Sequence, residues 1–485
     1  MGRADPARRA AFDVLRAVAE RDAYANLLLP SLLRERGLTG RDAALATELA
    51  HGVLRGQGSY DAILAICSDR DLGRIDPPLL QVLRLGAHQL LATRIGAHAA
   101  VATSVDLAKD VAGSRPSGFV NAVLRRVATR DLESWLEIAA PSRASDLVGH
   151  LSVRYSHPRW IVTALSEALG EDPAGGLGEI EAVLAADNER PQVNLCAVPG
   201  LADRAELVAS GAEPARWSPF GAYLAEGDPG RIPAVAQGRA AVQDEASQLA
   251  AIALARAGGT DGRGADRDSA GRDSADRDSA DRDRAARDSA EARWLDVCAG
   301  PGGKARLLAG LAQGRGARLL ASDVRPRRAR LSRAAIGRIA GTGVVVADGT
   351  APAWRPGAFG RVLADVPCSG LGALRRRAEA RWRRSPEDVA ALGPLQRALL
   401  AAALDSAAPG GVVAYVTCSP HVAETRGVVT DVLARRDDVR VLDAPATLPE
   451  VPGLHCPEPH GAFAQFWPHR HGTDAIFLAL LQRRG

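Results

Sequence analysis

Between residues 292 and 419 the chain carries five short apolar, strand-like runs separated by turns and helical stretches. The runs are "RWLDVCAG", "ARLLASDV", "GVVVADG", "RVLADVPC" and "GVVAYVTCS". Strands that alternate with helices point to a parallel, doubly wound sheet, because a crossover between parallel strands needs about the length of a helix. In such a sheet ligands bind beyond the carboxyl ends of the strands. Asp or Cys stands at that end of every run: Asp296 and Cys298, Asp323, Asp348, Asp365 and Cys368, and Cys418. The chemistry is therefore expected along one edge of one sheet.

A chain of 485 residues exceeds one ordinary core, so further domains are expected upstream. Residues 1–135 read as a helical bundle. In "IDPPLLQVLRLGAHQLLATRIG", Asp76 caps, Pro77 takes the first helical position, Leu79, Leu83, Ala87 and Leu90 form one face, and Gly96 is the stop. "RDAALATELAHGVLRG" repeats the pattern through Leu45, Leu49 and Val53. Residues 150–235 read as a small α+β module, with a helix in "YSHPRWIVTALSEALG" and a strand in "RPQVNLCAV". Residues 236–485 then form an α/β, Rossmann-like domain. It is interrupted at 258–293 by a low-complexity run in which "RDSA" occurs four times and no apolar residue before Trp294 is larger than alanine. Such a run cannot bury enough surface to offset its ordering entropy, and it reads as a surface insert without a chemical role.

Apolar runs fall short of the ~18 to 20 residues of a membrane span, and the N-terminus lacks a signal-peptide core. Six scattered cysteines form no disulfide framework and no zinc spacing, so no metal is expected and a cytoplasmic home is. Net charge is only +4, and the chain has just two lysines, Lys109 and Lys304. The arginine bias reads as GC-rich coding, which makes a lysine inside a glycine-rich turn the more suggestive residue.

That turn, "CAGPGGK", has neither P-loop spacing nor an intact GxGxxG fingerprint, yet Gly300, Gly302 and Gly303 let backbone approach a ligand closely. Asp323, 27 residues after Asp296, can take the hydroxyls of a ribose, and Asp348 can meet an adenine edge. Together they describe an adenosine-containing cofactor. Cys368 and Cys418, at neighbouring strand ends beside Asp365, are hard to attribute to packing alone.

The stretches "LDVCAGPGGK", "DVPCSGLGALRRRAEARWRR", "TCSP" and "AVQDEASQLAA" resemble the motif set of the S-adenosylmethionine-dependent RNA cytosine-5 methyltransferases. Upstream, "GVLR", "LGAHQLLATRI" and "GFVNAVLRR" resemble the antitermination factor NusB, and that fusion is similar to the ribosomal RNA small subunit methyltransferase B family. The resemblance implies a NusB-like RNA-binding bundle, a small α+β module and a methyltransferase domain. It implies that Cys418 attacks carbon 6 of cytosine, that Asp365 holds the N3 and amino edge, that Cys368 assists product release, and that Lys304 supports the charged groups. The cofactor, S-adenosylmethionine, would be held by Cys298, Ala299, Gly300, Pro301, Gly302, Gly303 and Lys304, with Asp323, Asp348 and Asp365.

Two positions depart from the family pattern. Members often carry Ala where Gly300 stands, a change expected to leave the backbone contact intact, and Pro where Ala378 stands. The implied substrate is 16S ribosomal RNA or an early small-subunit assembly intermediate, with the enzyme a monomer and no membrane involved. Transfer RNA is the alternative substrate, and a non-catalytic RNA-binding regulator or assembly factor the alternative class. The run "RRRAEARWRR", with Trp382 among Arg375, Arg376, Arg377, Arg381, Arg383 and Arg384, reads as a phosphate-gripping wall beside the site.

Overall fold

The computed structural model describes residues 4–171, 178–258, 289–457 and 459–485. Residues 259–288, nearly all of the charged run, lie outside them. The chain forms two compact units, Met1–Arg190 with Ala373–Arg384, and Pro191–Gly372 with Ser385–Gly485. Among the described residues no helix is long and apolar enough to cross a membrane.

The first unit is built from helices α1 (Pro6–Arg21), α2 (Ala25–Glu35), α3 (Gly40–Cys67), α4 (Pro77–Ala92), α5 (Ala97–Ala112) and α6 (Ser117–Val127), followed by α7 (Leu132–Ala139), α8 (Leu147–Arg154), α9 (Arg159–Leu169) and α10 (Ile180–Asn188). Apolar residues three or four apart make one stripe per helix: Phe12 and Leu15 on α1, Leu49 and Val53 on α3, Leu79 and Leu83 on α4, Val120 and Leu124 on α6. These close a single core. Helix α4 begins as its sequence suggests, with Asp76 before Pro77, but it ends at Ala92. Gly96 is not its stop; it precedes α5 as that helix's N-cap.

Residues 373–384 complete this unit, which takes Arg375, Arg381 and Arg383 out of the expected RNA-facing wall. Arg381 is 0% exposed. Its guanidinium donates to the carbonyls of Arg55 (3.2 Å), Ser156 (3.1 Å) and Asp187 (2.8 Å) and to Asn188 Oδ1 (2.7 Å). Arg383 donates to the carbonyls of Val18, Asp22 and Ala23. Trp382 Nε1 reaches the carbonyl of Leu54 at 3.4 Å, and Ala378 joins the apolar core. Tyr24 supplies α2 with no side-chain cap, and the buried Glu379 accepts from the first helical N–H, Ala25, at 3.3 Å instead. Arg375 is also buried, whereas Arg377 is exposed over the ring of Tyr24.

The second unit holds two sheets. Strands β1 (Val193–Ala197), β2 (Glu213–Pro214), β3 (Gly221–Leu224) and β4 (Ala240–Val242) make an antiparallel sheet in the order β2-β3-β1-β4. The larger sheet contains β5 (Arg293–Asp296), β6 (Arg318–Asp323), β7 (Thr342–Val346), β8 (Phe359–Asp365), β9 (Ala407–Thr417), β10 (Val439–Leu442), β11 (Ala464–Gln465) and β12 (Phe477–Arg483). Its order is β10-β12-β9-β8-β5-β6-β7, with β11 paired to β12. The five apolar runs are β5 to β9 and pair in parallel.

Beyond β9 the sheet turns antiparallel, with β12 lying between β9 and β10. β10 runs parallel to β9 and is reached through the helix Arg426–Leu433, whereas β12 runs antiparallel to both and needs no crossover. The chain winds from β5 outward through β6 and β7, then returns to β8 and β9 on the other side. The switch point therefore falls between β5 and β8, where a crevice opens at the carboxyl edge.

Candidate active site

Register sets which side chains meet at this edge. Asp296, last in β5, pairs with Leu363 of β8, and Asp365, last in β8, pairs with Val416 of β9, two residues before Cys418. The turn after β5 is pinned from both sides: Val297 N–H donates to the Leu363 carbonyl (2.9 Å) and Ala299 N–H to the Ser322 carbonyl (2.8 Å). Gly302, at φ 110°, starts the helix Gly303–Gln313. A Cβ there would lie 2.6 Å from Ala335 Cβ, so the turn is closed to other residues.

The first turn of that helix aims Lys304 back across the edge, and its Nζ donates to both oxygens of Asp365 at 2.9 Å. Burial works against its charge, but the fields of Asp365, Cys418 and Asp296 and the Asp365 hydrogen bond outweigh it, so the ammonium is raised. The reverse holds for Asp296, which is 1% exposed. Burial, then the charge of Asp365, pushes its carboxyl up to about 8, against the pull of Lys304. Asp296 Oδ1 accepts from Cys298 N–H at 3.3 Å, while Oδ2 is buried without a partner. A buried acceptor in that state is ready for a ligand's donor.

Cys368 and Cys418 lie with sulfurs 3.2 Å apart. The Cys368 thiol is pushed well up by its hydrogen bond to Cys418, then by burial and by the charges of Cys418 and Glu424. Backbone bonds hold the two loops in step: Val366 N–H to the Val416 carbonyl (3.1 Å) and Gly372 N–H to the Cys418 carbonyl (2.9 Å). The latter requires glycine, since a Cβ on Gly372 would sit 1.8 Å from the Ala475 carbonyl oxygen.

On the other side of β5, Asp323 is buried at the end of β6. Its Oδ2 accepts from Gly300 N–H (3.1 Å) and faces Arg328 Nε (3.3 Å), and its Oδ1 accepts from Arg325 N–H (2.9 Å). A Cβ on Gly300 would come 2.4 Å from Asp323 Oδ2 and 2.6 Å from Arg328 Cβ. An alanine there would therefore displace this carboxylate, contrary to the expectation of a silent change.

Asp348 stands apart. It is exposed, and its carboxylate is held below the usual range by the N–H and hydroxyl of Thr350 in its own turn. The fold thus brings together Asp296, Lys304, Asp365, Cys368 and Cys418, and joins Asp323 to Cys298–Gly303 through the pinned turn. An adenosine cofactor with an ammonium fits these residues: a narrow glycine turn, an acidic strand end and an unpartnered buried carboxylate oxygen. Arg328 and Glu424, which sequence reasoning missed, also belong to the edge.

Two family models match the chain, "16S rRNA methyltransferase RsmB/F" over residues 286–482 and "NusB family" over residues 5–129. The chain is 50% identical over 481 residues to the putative methyltransferase Rv1407 of Mycobacterium tuberculosis (strain ATCC 25618 / H37Rv), covering 99% of this chain and 97% of that one. It is 31% identical over 488 residues to ribosomal RNA small subunit methyltransferase B of Pseudomonas putida, covering 98% of each. Among solved structures, "Crystal Structure of PH0851" matches with a TM-score of 0.74 over 99% of this chain and 98% of that one, at 20% identity. That last likeness speaks to the fold alone.

Proposed function

The chain belongs to the ribosomal RNA small subunit methyltransferase B family and is an S-adenosylmethionine-dependent RNA methyltransferase, and we propose that it methylates carbon 5 of a cytidine in 16S ribosomal RNA through a covalent adduct on Cys418. The observation that carries this reading is the sulfur pair 3.2 Å apart, beside the Lys304–Asp365 ion pair at the switch point. A substrate of the small subunit is supported by the named relatives.

Carbon 5 of cytosine is a poor nucleophile until a thiolate adds to carbon 6 and makes it enamine-like. The bound S-adenosylmethionine supplies an electrophilic methyl group. Cys418 is the attacking sulfur, and the ammonium of Lys304 stabilises its thiolate. Asp365, held by two hydrogen bonds from Lys304, accepts from the N3 and amino edge of the adduct.

Once Cys418 has become a thioether, Cys368 loses its hydrogen bond to that sulfur, the first cause of its raised pKa, and the field of its charge, while burial and Glu424 remain. Cys368 then gives its proton to solvent and, as thiolate, takes the proton from carbon 5; the electron pair of that C–H bond forms the carbon 5–carbon 6 double bond, the carbon 6–sulfur bond breaks, and Cys418 leaves as thiolate. Asp323 and the Cys298–Gly303 turn hold the cofactor, with Asp348 at its rim. The enzyme is read as a cytoplasmic monomer whose first 135 residues bind RNA or an early assembly intermediate, followed by the module at 150–235 and the catalytic domain from 236. The free cysteines suit a reducing compartment.

The test is a pair of single substitutions. Cys418→Ala should abolish methyl transfer and leave cofactor binding intact, whereas Cys368→Ala should trap an RNA–protein adduct that survives denaturing electrophoresis. An adduct formed by Cys418→Ala and absent from Cys368→Ala would reverse the roles.

A further inference from the structure

Six residues after Cys418 stands Glu424, at the end of a single 3-10 turn, Val422–Glu424, and 0% exposed. A buried carboxylate is costly unless its oxygens are matched by donors. The donors here come from the other cysteine loop. Glu424 Oε1 accepts from the backbone N–H of Ser369 at 2.7 Å, and Oε2 from the hydroxyl of Ser369. Gln396 Nε2 adds a bond to Oε1 at 3.1 Å and also donates to the Pro367 carbonyl at 2.9 Å. Ser369 and Ser419, the residues directly after the two cysteines, have hydroxyl oxygens 3.1 Å apart. The Glu424 backbone is itself fixed by the Tyr415 hydroxyl, which donates to its carbonyl at 2.8 Å.

We infer that Glu424 is the positioning residue of the cysteine pair: from the loop of Cys418 it grips Ser369 and thereby fixes Cys368 against Cys418. The inference rests on the covalent reading proposed above and adds a residue that touches neither RNA nor cofactor. The backbone bonds at Val366 and Gly372 set where the Cys368 loop leaves and rejoins its neighbours. Between those two points Glu424 holds the residue next to the sulfur. Its charge has a second effect, because the titratable groups that face Cys368 are Cys418, Glu424 and Tyr415, and Glu424 is among those that keep Cys368 protonated.

Glu424→Gln retains the shape and one acceptor but removes the charge and the acceptor for the Ser369 hydroxyl. It should lower kcat roughly 10- to 150-fold, the loss of a charge-assisted hydrogen bond, with KM for S-adenosylmethionine and RNA unchanged. In the free enzyme, iodoacetamide labelling of Cys368, followed on its peptide by mass spectrometry, should begin at lower pH than in the wild type. A residue that merely held the fold would lower the folded fraction and leave that labelling profile in place. Ser369→Ala, which deletes only a hydroxyl, should show the same kcat-without-KM loss at smaller size and serves if Glu424→Gln does not fold.

Wild-type kcat in both variants would overturn the inference. So would a kcat loss in Glu424→Gln with the Cys368 labelling profile unmoved. Cys418→Ala assayed alongside separates the two levels: an active enzyme sinks the covalent reading, whereas an inactive one beside a wild-type-like Glu424→Gln sinks only the role of Glu424.

Discussion

Replacing Arg381 by Ala tests whether the arginine-rich run is structural. Four neutral acceptors lose a charged donor, and each such bond contributes ~2 kcal/mol, or about 8 kcal/mol in all. Against this stands the cost of burying the guanidinium: burial, only partly offset by Asp187, brings its pKa down to about 10 from 12.5. That shift corresponds to about 3 kcal/mol. The difference, about 5 kcal/mol, agrees with the ~3 to 5 kcal/mol seen when one side of a buried charged network is removed.

For a unit of this size a loss of ~3 to 5 kcal/mol lowers the melting temperature by roughly 6 to 20 °C. Calorimetry on the full chain reads the shift, and hydrogen exchange in peptides from residues 1–190 should place it in the helical unit. Arg377→Ala is the control, since Arg377 is exposed and only overlies the Tyr24 ring at 5.3 Å, a contact worth ~0.5 to 1 kcal/mol. If Arg381→Ala melted with the wild type and instead weakened RNA binding with a flatter salt dependence, the buried network would be refuted and the phosphate wall restored.

Two further outcomes follow from the strand edge. Gly302→Ala forces a Cβ onto a backbone at φ 110° and into Ala335; it should cost about 2 to 5 kcal/mol in chemical denaturation and weaken cofactor binding by calorimetry, and unchanged values would show that the turn adapts. Asp296, raised to about 8 by burial and by Asp365, keeps in the folded state a proton that the unfolded chain releases near pH 4. Its contribution is therefore fully present below about pH 4 and lost as pH rises to about 8. Asp296→Asn should flatten the decline in stability over that window, measured by urea unfolding at several pH values; a slope equal to the wild type's would mean that Asp296 is already ionised.

The parallel half of the sheet was legible because each strand announces itself twice, by a short apolar run and by a turn rich in small or acidic residues. Asp296, Asp323, Asp365 and Cys418 were found on that basis, each at a strand's carboxyl end. Strands β10 to β12 were not: β10 and β11 are short, four and two residues, and β11 and β12 pair antiparallel without a crossover helix to announce them. Arg381 misled for a different reason: six arginines in ten residues look solvated, and only the tertiary partners Ser156, Asp187 and Asn188 make one of them a core residue. Glu424 offered no local signal, because an acidic side chain in a short turn is ordinarily exposed and its donors come from residues 369 and 396. At Gly300 the sequence does not show that a Cβ would also meet Asp323 and Arg328 of its own chain, because those neighbours come from β6 and the helix after it.

The discontinuous make-up of the helical unit sets an order of events during synthesis. Helices α1 to α10 are complete once Arg190 has been made, but the piece that fills their last buried site begins about 180 residues later, at Ala373. At ~5 to 20 residues per second that is a wait of roughly 10 to 40 s. Throughout it the carbonyls of Arg55, Ser156 and Asp187 lack the guanidinium that later joins them, and the core lacks Ala378. The nascent bundle must rest in a looser form until β5 to β8 have been made, and a fragment excised at residue 190 would stay in that form.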